Sequence, residues 1–306
     1  MSPRPLSFPL ALVLFASSLS VAQTATCTTW KTIQYPSGWG VPLDLFFGGI
    51  NRWGTIVGPA AWIGGGPQGG PSLYGFVRYS GGSFKTYLPP NAASAIFTRR
   101  NNSGVTVGYY GDNGPPYNQH GIVISGSSSV TVNYPGAAWT ILMGINNWGT
   151  IVGYHYDSTG SGRPDGFMLK NGKFTSIHFP NSVLTAPNAI NDKAVVVGFY
   201  WDAQLVQHGF VFANGVYKTL DNFKNAPQFS PNGNYLSDIN GSGVITGYYY
   251  VGLNIYSFIY SNGVFKDVLP SNGTDTAISG INGYGVVVGT TTLSSGISTM
   301  FTAHCQ

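Results

Sequence analysis

The chain contains no glutamate; its ten acidic residues are all aspartate. Charged residues make up 8% of the 306 positions, against roughly 25% in ordinary globular domains. Without Glu, and with few Lys- or Ala-rich runs, helical bundles and coiled coils are excluded. The 14 Lys and Arg residues form no run, so the net charge of +4 reads as scattered and leaves no nucleic-acid footprint. No nucleophile-elbow motif, zinc-protease helix motif or phosphate loop occurs. There are only two cysteines, with no neighbouring Cys/His set that would make a zinc site.

What is present is 43% hydrophobic and 14% aromatic residue, enough to bury a core and to exclude disorder. Gly and Pro are about a fifth of the chain, and Val, Thr, Tyr, Phe and Asn are abundant. This is a strand-and-turn composition.

Residues 1–22 read as a secretory signal peptide. Arg4 supplies the charged start, Leu6 to Ala16 the apolar stretch, and Ser20-Val21-Ala22 the small residues of a cleavage site. That stretch is short for a membrane span, and no second one follows. The expectation is a secreted domain of residues 23–306, monomeric and without a membrane span. An oxidising compartment makes Cys27 and Cys305 a disulfide pair joining the two ends of the chain.

One phrase recurs: Ile-Asn-x-x-Gly-x-x-x-Gly. It stands at Ile50-Asn51-Arg52-Trp53-Gly54-Thr55-Ile56-Val57-Gly58 and again at Ile145-Asn146 to Gly153. It returns from Ile190-Asn191, Ile239-Asn240 and Ile281-Asn282, with a degenerate copy from Arg100-Asn101. The copies centre on Asn51, Asn101, Asn146, Asn191, Asn240 and Asn282. Most continue with aromatics, a variable loop, a Gly-Phe-like strand, an Asn-Gly turn and a last strand. Asn-Gly between two β runs is a strong hairpin signal.

Four short strands, a to d, in units of 42 to 50 residues are the pattern of β-propeller blades. The last unit lacks strand d, and Trp30 to Pro36 matches Phe174 to Pro180, a complete unit's strand d. The prediction is an all-β, six-bladed β-propeller of four-stranded blades. It is closed by N-terminal strand exchange and by the Cys27–Cys305 disulfide, which stands where a c–d turn would be.

The unit resembles the extracellular HAF-type repeat family, named for a His-Ala-Phe motif and abundant in secreted bacterial proteins. The resemblance spans nearly all of residues 30–304. It is closest at the Ile-Asn phrase and looser at His120-Gly121-Ile122 and His208-Gly209-Phe210. It implies a repeat fold and an extracellular location, and no particular activity.

Function tends to sit on long loops over a rigid scaffold, which points to the b–c and d–a loops (59–73, 111–119, 156–164, 201–207 and 221–235). Aromatics at or near them, Trp39, Trp62, Tyr110, Trp139, Tyr156, Trp201 and Tyr250, suit a sugar or protein partner, or else pack between blades. Asp112, Asp157 and Asp202 occupy equivalent places in three units. They read as a carboxylate set for catalysis or calcium, or as loop caps. Calcium is the only cofactor such a set suggests. His120 and His208, replaced by Asp165, Tyr74 or Tyr256 elsewhere, suggest a hydrogen bond at the start of strand c. The repeated Asn and Gly read as turn structure. The leading expectation is a non-enzymatic propeller binding a glycan or cell-surface protein through the loop face. The alternatives are a carbohydrate-active enzyme using Asp residues and an adhesive envelope protein.

Overall fold

A computed structural model of the chain describes residues 23–40, 48–62, 73–160, 162–221, 233–268, 273–293 and 298–305. The expected leader, residues 1–22, lies outside the described residues, as do parts of the 59–73 and 221–235 loops.

Every regular element is a strand. β1 (Gln23–Thr24) and β2 (Cys27–Ile33) come first. Blade 1 is β3 (Trp39–Gly40) and β4 (Gly49–Ile50), both paired to β5 (Ile56–Trp62), then β6 (Leu73–Arg78) and β7 (Phe84–Tyr87). Blade 2 is β8 (Ala92–Arg100), β9 (Thr106–Asp112), β10 (Gln119–Ser125) and β11 (Ser128–Val132). Blade 3 is β12 (Trp139–Ile145), β13 (Ile151–Tyr156), β14 (Asp165–Lys170) and β15 (Lys173–Ile177). Blade 4 is β16 (Leu184–Ile190), β17 (Val196–Trp201), β18 (Gln207–Ala213) and β19 (Val216–Thr219). Blade 5 is β20 (Tyr235–Ile239), β21 (Ile245–Val251), β22 (Asn254–Ser261) and β23 (Val264–Val268). Blade 6 is β24 (Gly273–Ile281), β25 (Val286–Leu293) and β26 (Ser298–Cys305), completed by β2. Blades 2 and 3 are joined into one sheet by a single parallel pair, Gln119 with Trp139.

The strand exchange is as expected. β2 runs antiparallel to β26, with Ile33 opposite Met300 and Cys27 opposite Cys305. The Cys27–Cys305 disulfide ties positions 278 residues apart. β1 was not foreseen: it runs parallel to β23 on the outer edge of blade 5, so the N-terminal segment grips two blades.

The second Gly of the phrase has a steric reason. The innermost strand carries a β-bulge in blades 2 to 6, between Leu142 and Gly144 in blade 3. Its carbonyl arches over the neighbouring strand, so a Cβ at Gly153 would run into the Ile141 carbonyl. Strand c places a large apolar residue opposite each such Gly. Phe76, Ile122, Phe167, Phe210, Phe258 and Phe301 pair with Gly58, Gly108, Gly153, Gly198, Gly247 and Gly289. All six are buried.

Candidate functional site

The a–b turns build one end of the propeller axis. In blade 3 Asn146 Oδ1 accepts the Trp148 and Thr150 backbone N–H groups at 3.1 and 2.9 Å. Gly149 follows at φ 79°. This is the turn role expected for these residues.

The same side chains also do something the repeat did not reveal. Asn51 Nδ2 donates to the Asn101 carbonyl, Asn101 to Asn146, Asn146 to Asn191, Asn191 to Asn240, Asn240 to Asn282, and Asn282 back to Asn51. All six bonds are 3.1–3.2 Å. The six asparagines are buried. They form a closed amide ring around the axis, one member per blade, whose polar atoms are satisfied by protein.

Over this ring lies a cavity of about 340 Å³, lined by the ring and by residues that include Arg52, Arg100, Asn102, Asn147, Asp192 and Tyr284. That size falls within the roughly 300–1,000 Å³ usual for small-molecule sites. On the same a–b turns stand three of the most exposed aromatic rings among the described residues: Trp148 is 77% exposed, Trp53 and Tyr284 59% each. Both indoles are anchored. Trp53 Nε1 donates to the Asn102 carbonyl at 3.1 Å, and Trp148 Nε1 to the Asp192 carbonyl at 3.2 Å. Each ring thus reaches across to the next blade. Arg52 lies 4.6 Å from the Trp53 ring centre, and its Nη2 donates to Tyr284 Oη at 3.3 Å.

The axis itself is plugged by two charges. Arg99 donates to the carbonyls of Gly48, Thr98, Ser237 and Ser279, at 2.6–3.0 Å. Its Nε lies 3.4 Å from Asp238 Oδ1. Asp238 Oδ1 and Oδ2 accept the Ile239 and Ile281 N–H groups at 2.9 and 2.8 Å. Burial pushes the Asp238 carboxyl up, while Arg99 and the two N–H groups pull it down. Sequence reasoning missed this pair. Aligning the repeats shows it: the other blades carry Gly49, Gly144, Ala189 and Gly280 at this position.

Basic residues occur on both faces and in the outer strands, with Arg163 exposed on the loop face and Lys31, Lys85, Lys218 and Lys266 in strands d, but one group of them gathers at the turns. Arg52, Arg78, Arg100, Lys170, Lys173 and Lys193 all fall at or beside a–b or c–d turns, on the face that holds the cavity, with Asp192. Asp112, Asp157, Asp165, Asp202, Asp221, Asp267 and Asp275 fall toward the opposite, loop face. Periodicity conceals this gathering, because it depends on which way each strand runs.

The aromatics singled out from sequence lie on the loop face and are all half-buried. Trp39 packs edge-on against Trp62, with ring centres 4.9 Å apart, and against Tyr74. Trp139 packs on Tyr156 at 5.0 Å. Trp201 Nε1 donates to Gln207 Oε1, and Tyr110 Oη lies 3.1 Å from Thr131 Oγ1. Tyr250 packs on Tyr248. Burial raises Tyr154, Tyr235 and Tyr248, and neighbouring phenols add to each shift.

The three aspartates form no common carboxylate set. Asp157 Oδ1 caps Thr159, and Asp202 Oδ1 accepts the Gln204 and Val206 N–H groups. Asp112 and Asp202 face histidines: His120 Nε2 and His208 Nε2 each lie 3.2 Å from them. The expected hydrogen bond at the start of strand c is therefore present. Its further partners lie thirteen residues on: Asn133 for His120 and Asp221 for His208. Blade 3 reverses the pair, with Asp165 first and His178 second, 3.2 Å apart. Among the described residues no group of three or more His, Cys or Asp side chains is arranged to hold a metal ion.

No protein-family profile matches the chain. No curated protein matches it in sequence. Solved structures do match. A variant of AofleA from Arthrobotrys oligospora is 12% identical with a TM-score of 0.54, covering 92% of this chain and 90% of that one. The Aleuria aurantia lectin in complex with Fucα1-6GlcNAc is 10% identical with a TM-score of 0.51, over 83% and 90%. A mercury derivative of the same fucose-specific lectin gives 0.52 at 12% identity, over 84% and 91%. The fold of this chain is that of a β-propeller.

Proposed function

We propose that this is a secreted, non-enzymatic propeller that binds a glycan at the turn-face end of its axis. The carrying observation is the pair of exposed indoles, Trp53 and Trp148, each anchored by its N–H to a residue, Asn102 or Asp192, that lines the cavity over the amide ring. An indole fixed by its N–H keeps a ring face for sugar stacking at little conformational cost; Arg52 covers one face of Trp53, so Trp148 is the freer platform. Lectins among the fold neighbours support the reading, as do the terminal disulfide and the leader motif for export. The HAF-type repeat assignment belongs to this proposal and rests on the Ile-Asn phrase.

The enzyme alternative has little support at this site. Asp192 gives both carboxylate oxygens to Asn147, and Asp238 is buried under Arg99. The loop face first expected to bind is the second reading, favoured by its cluster of tyrosines. Affinity electrophoresis through soluble polysaccharides separates the two. Retardation lost in Trp148→Ala and kept in Trp201→Ala supports the turn face. The reverse pattern supports the loop face. No retardation by any polymer would remove the glycan reading in favour of a cell-surface protein partner.

A further inference from the structure

The charges around the cavity narrow the ligand. We infer that the turn face binds a saccharide carrying an anionic group, a carboxylate or a sulfate ester; this rests on the glycan reading above.

Each ring asparagine already has protein partners: Asn146 Oδ1 accepts two backbone N–H groups and its Nδ2 gives one of its two N–H groups to the next blade, so little of its hydrogen-bonding capacity is left for a ligand. Recognition then falls mainly to charged side chains that line the cavity, Arg52, Arg100 and Asp192, with Lys193 next to Asp192 on the blade 4 turn. Arg52 and Lys193 are exposed, and neither they nor Arg100 have a carboxylate within ion-pair distance among the described residues. Arg52 is already oriented by Trp53 and Tyr284, so its fork is held over the cavity edge. A held guanidinium is suited to carboxylate and sulfate oxygens. The exposed carboxylate at the rim, Asp192, already accepts the Asn147 N–H and Nδ2 at 2.8 and 2.7 Å, which leaves it about half its acceptor sites for a ligand's hydroxyls.

A second row of contacts has an opening on the same side. The Arg52 N–H is received by Asn102 Oδ1, the Asn102 N–H by Asn147 Oδ1, and the Asn147 N–H by Asp192 Oδ1. Blades 5 and 6 carry Gly241 and Gly283 at this position, so the row stops. The Asp192 and Gly241 N–H groups lack the side-chain acceptor that blades 1 to 3 have. Stacking rings, unpaired cations and these N–H groups together describe a site for a sugar bearing negative charge.

Titration calorimetry tests this with a short oligogalacturonate, a sulfated galactan oligomer, and the oligogalacturonate after its carboxyls are reduced to hydroxymethyl groups. The reduced form keeps the sugar and removes the charge. At least one charged oligomer should bind about tenfold or more tighter than the reduced form, as expected from one charge-assisted hydrogen bond. The preference should shrink as salt rises from about 0.05 to about 0.5 M. Arg52→Gln and Lys193→Gln should each reduce it without shifting the melting temperature. Lys193→Gln guards against an effect on the Trp53 platform. Equal binding of the reduced oligomer would overturn the inference and leave the glycan reading standing. Equal binding of charged oligomers by wild type and Trp148→Ala would mean ion exchange by the face and would overturn it too. No binding by any of the three, with neutral polymers also failing, would remove the glycan reading itself.

Discussion

Asn146 accepts two backbone N–H groups within its turn and donates one N–H across to Asn191. Asn146→Ala would leave the Trp148 and Thr150 N–H groups without their acceptor and the Asn191 carbonyl with the Ala194 N–H alone, at a cost of about 2–3 kcal/mol in urea unfolding; a change below about 0.5 kcal/mol would show the ring to be ornamental. Arg99→Ala leaves Asp238 charged and buried, and should cost about 3–5 kcal/mol. Arg99→Ala with Asp238→Ala should recover much of that loss, since other blades carry Gly or Ala there; additive losses would deny the coupling. Ala194 stands at φ 58° where other turns place Gly. Ala194→Gly should therefore stabilise by about 1 kcal/mol, read as a raised melting temperature.

At the scale of elements, β2 and its disulfide close the ring. Reduction, or Cys27→Ser, removes a constraint on a very long loop, worth roughly 5 kcal/mol as an upper figure in the chain-entropy model. The strand exchange was legible because Trp30 to Pro36 repeats the pattern of Phe174 to Pro180. β1 was not, since two residues on an outer edge carry no periodic signal. The His208 clasp joins the start of β18 to the residues after β19. Asp221 chiefly raises the His208 imidazole above its usual value of 6.5, Asp202 adds to this, and burial opposes it. A raised histidine stabilises fully below the unfolded value and loses this contribution as pH rises through the folded one. His208→Asn should thus lower the melting temperature more at pH about 5.5 than at pH about 8. An equal drop at both would mean that the clasp is uncharged.

At the scale of the whole molecule, the fold was the most legible layer. A six-fold phrase with Asn, Gly and a Phe opposite Gly constrains turns, bulges and core together. The proposed turn-face site was less so, for a physical reason. Arg52-Trp53 and Asn147-Trp148 sit inside the phrase that marks the turn, and a turn's side-chain exposure has no periodicity to read. The gathering of most aspartates toward the loop face likewise appears only once each strand has a direction. The half-buried loop-face aromatics have ordinary packing partners, whereas on the turn face Trp148 is 77% exposed.

Soaking a crystal of the protein with an oligosaccharide that it retains, and locating the sugar in the difference map, tests the central claim most directly. The account predicts sugar rings against Trp148 or Trp53, at the mouth over the asparagine ring. Density confined to the loop face, with those indoles bare, would contradict it.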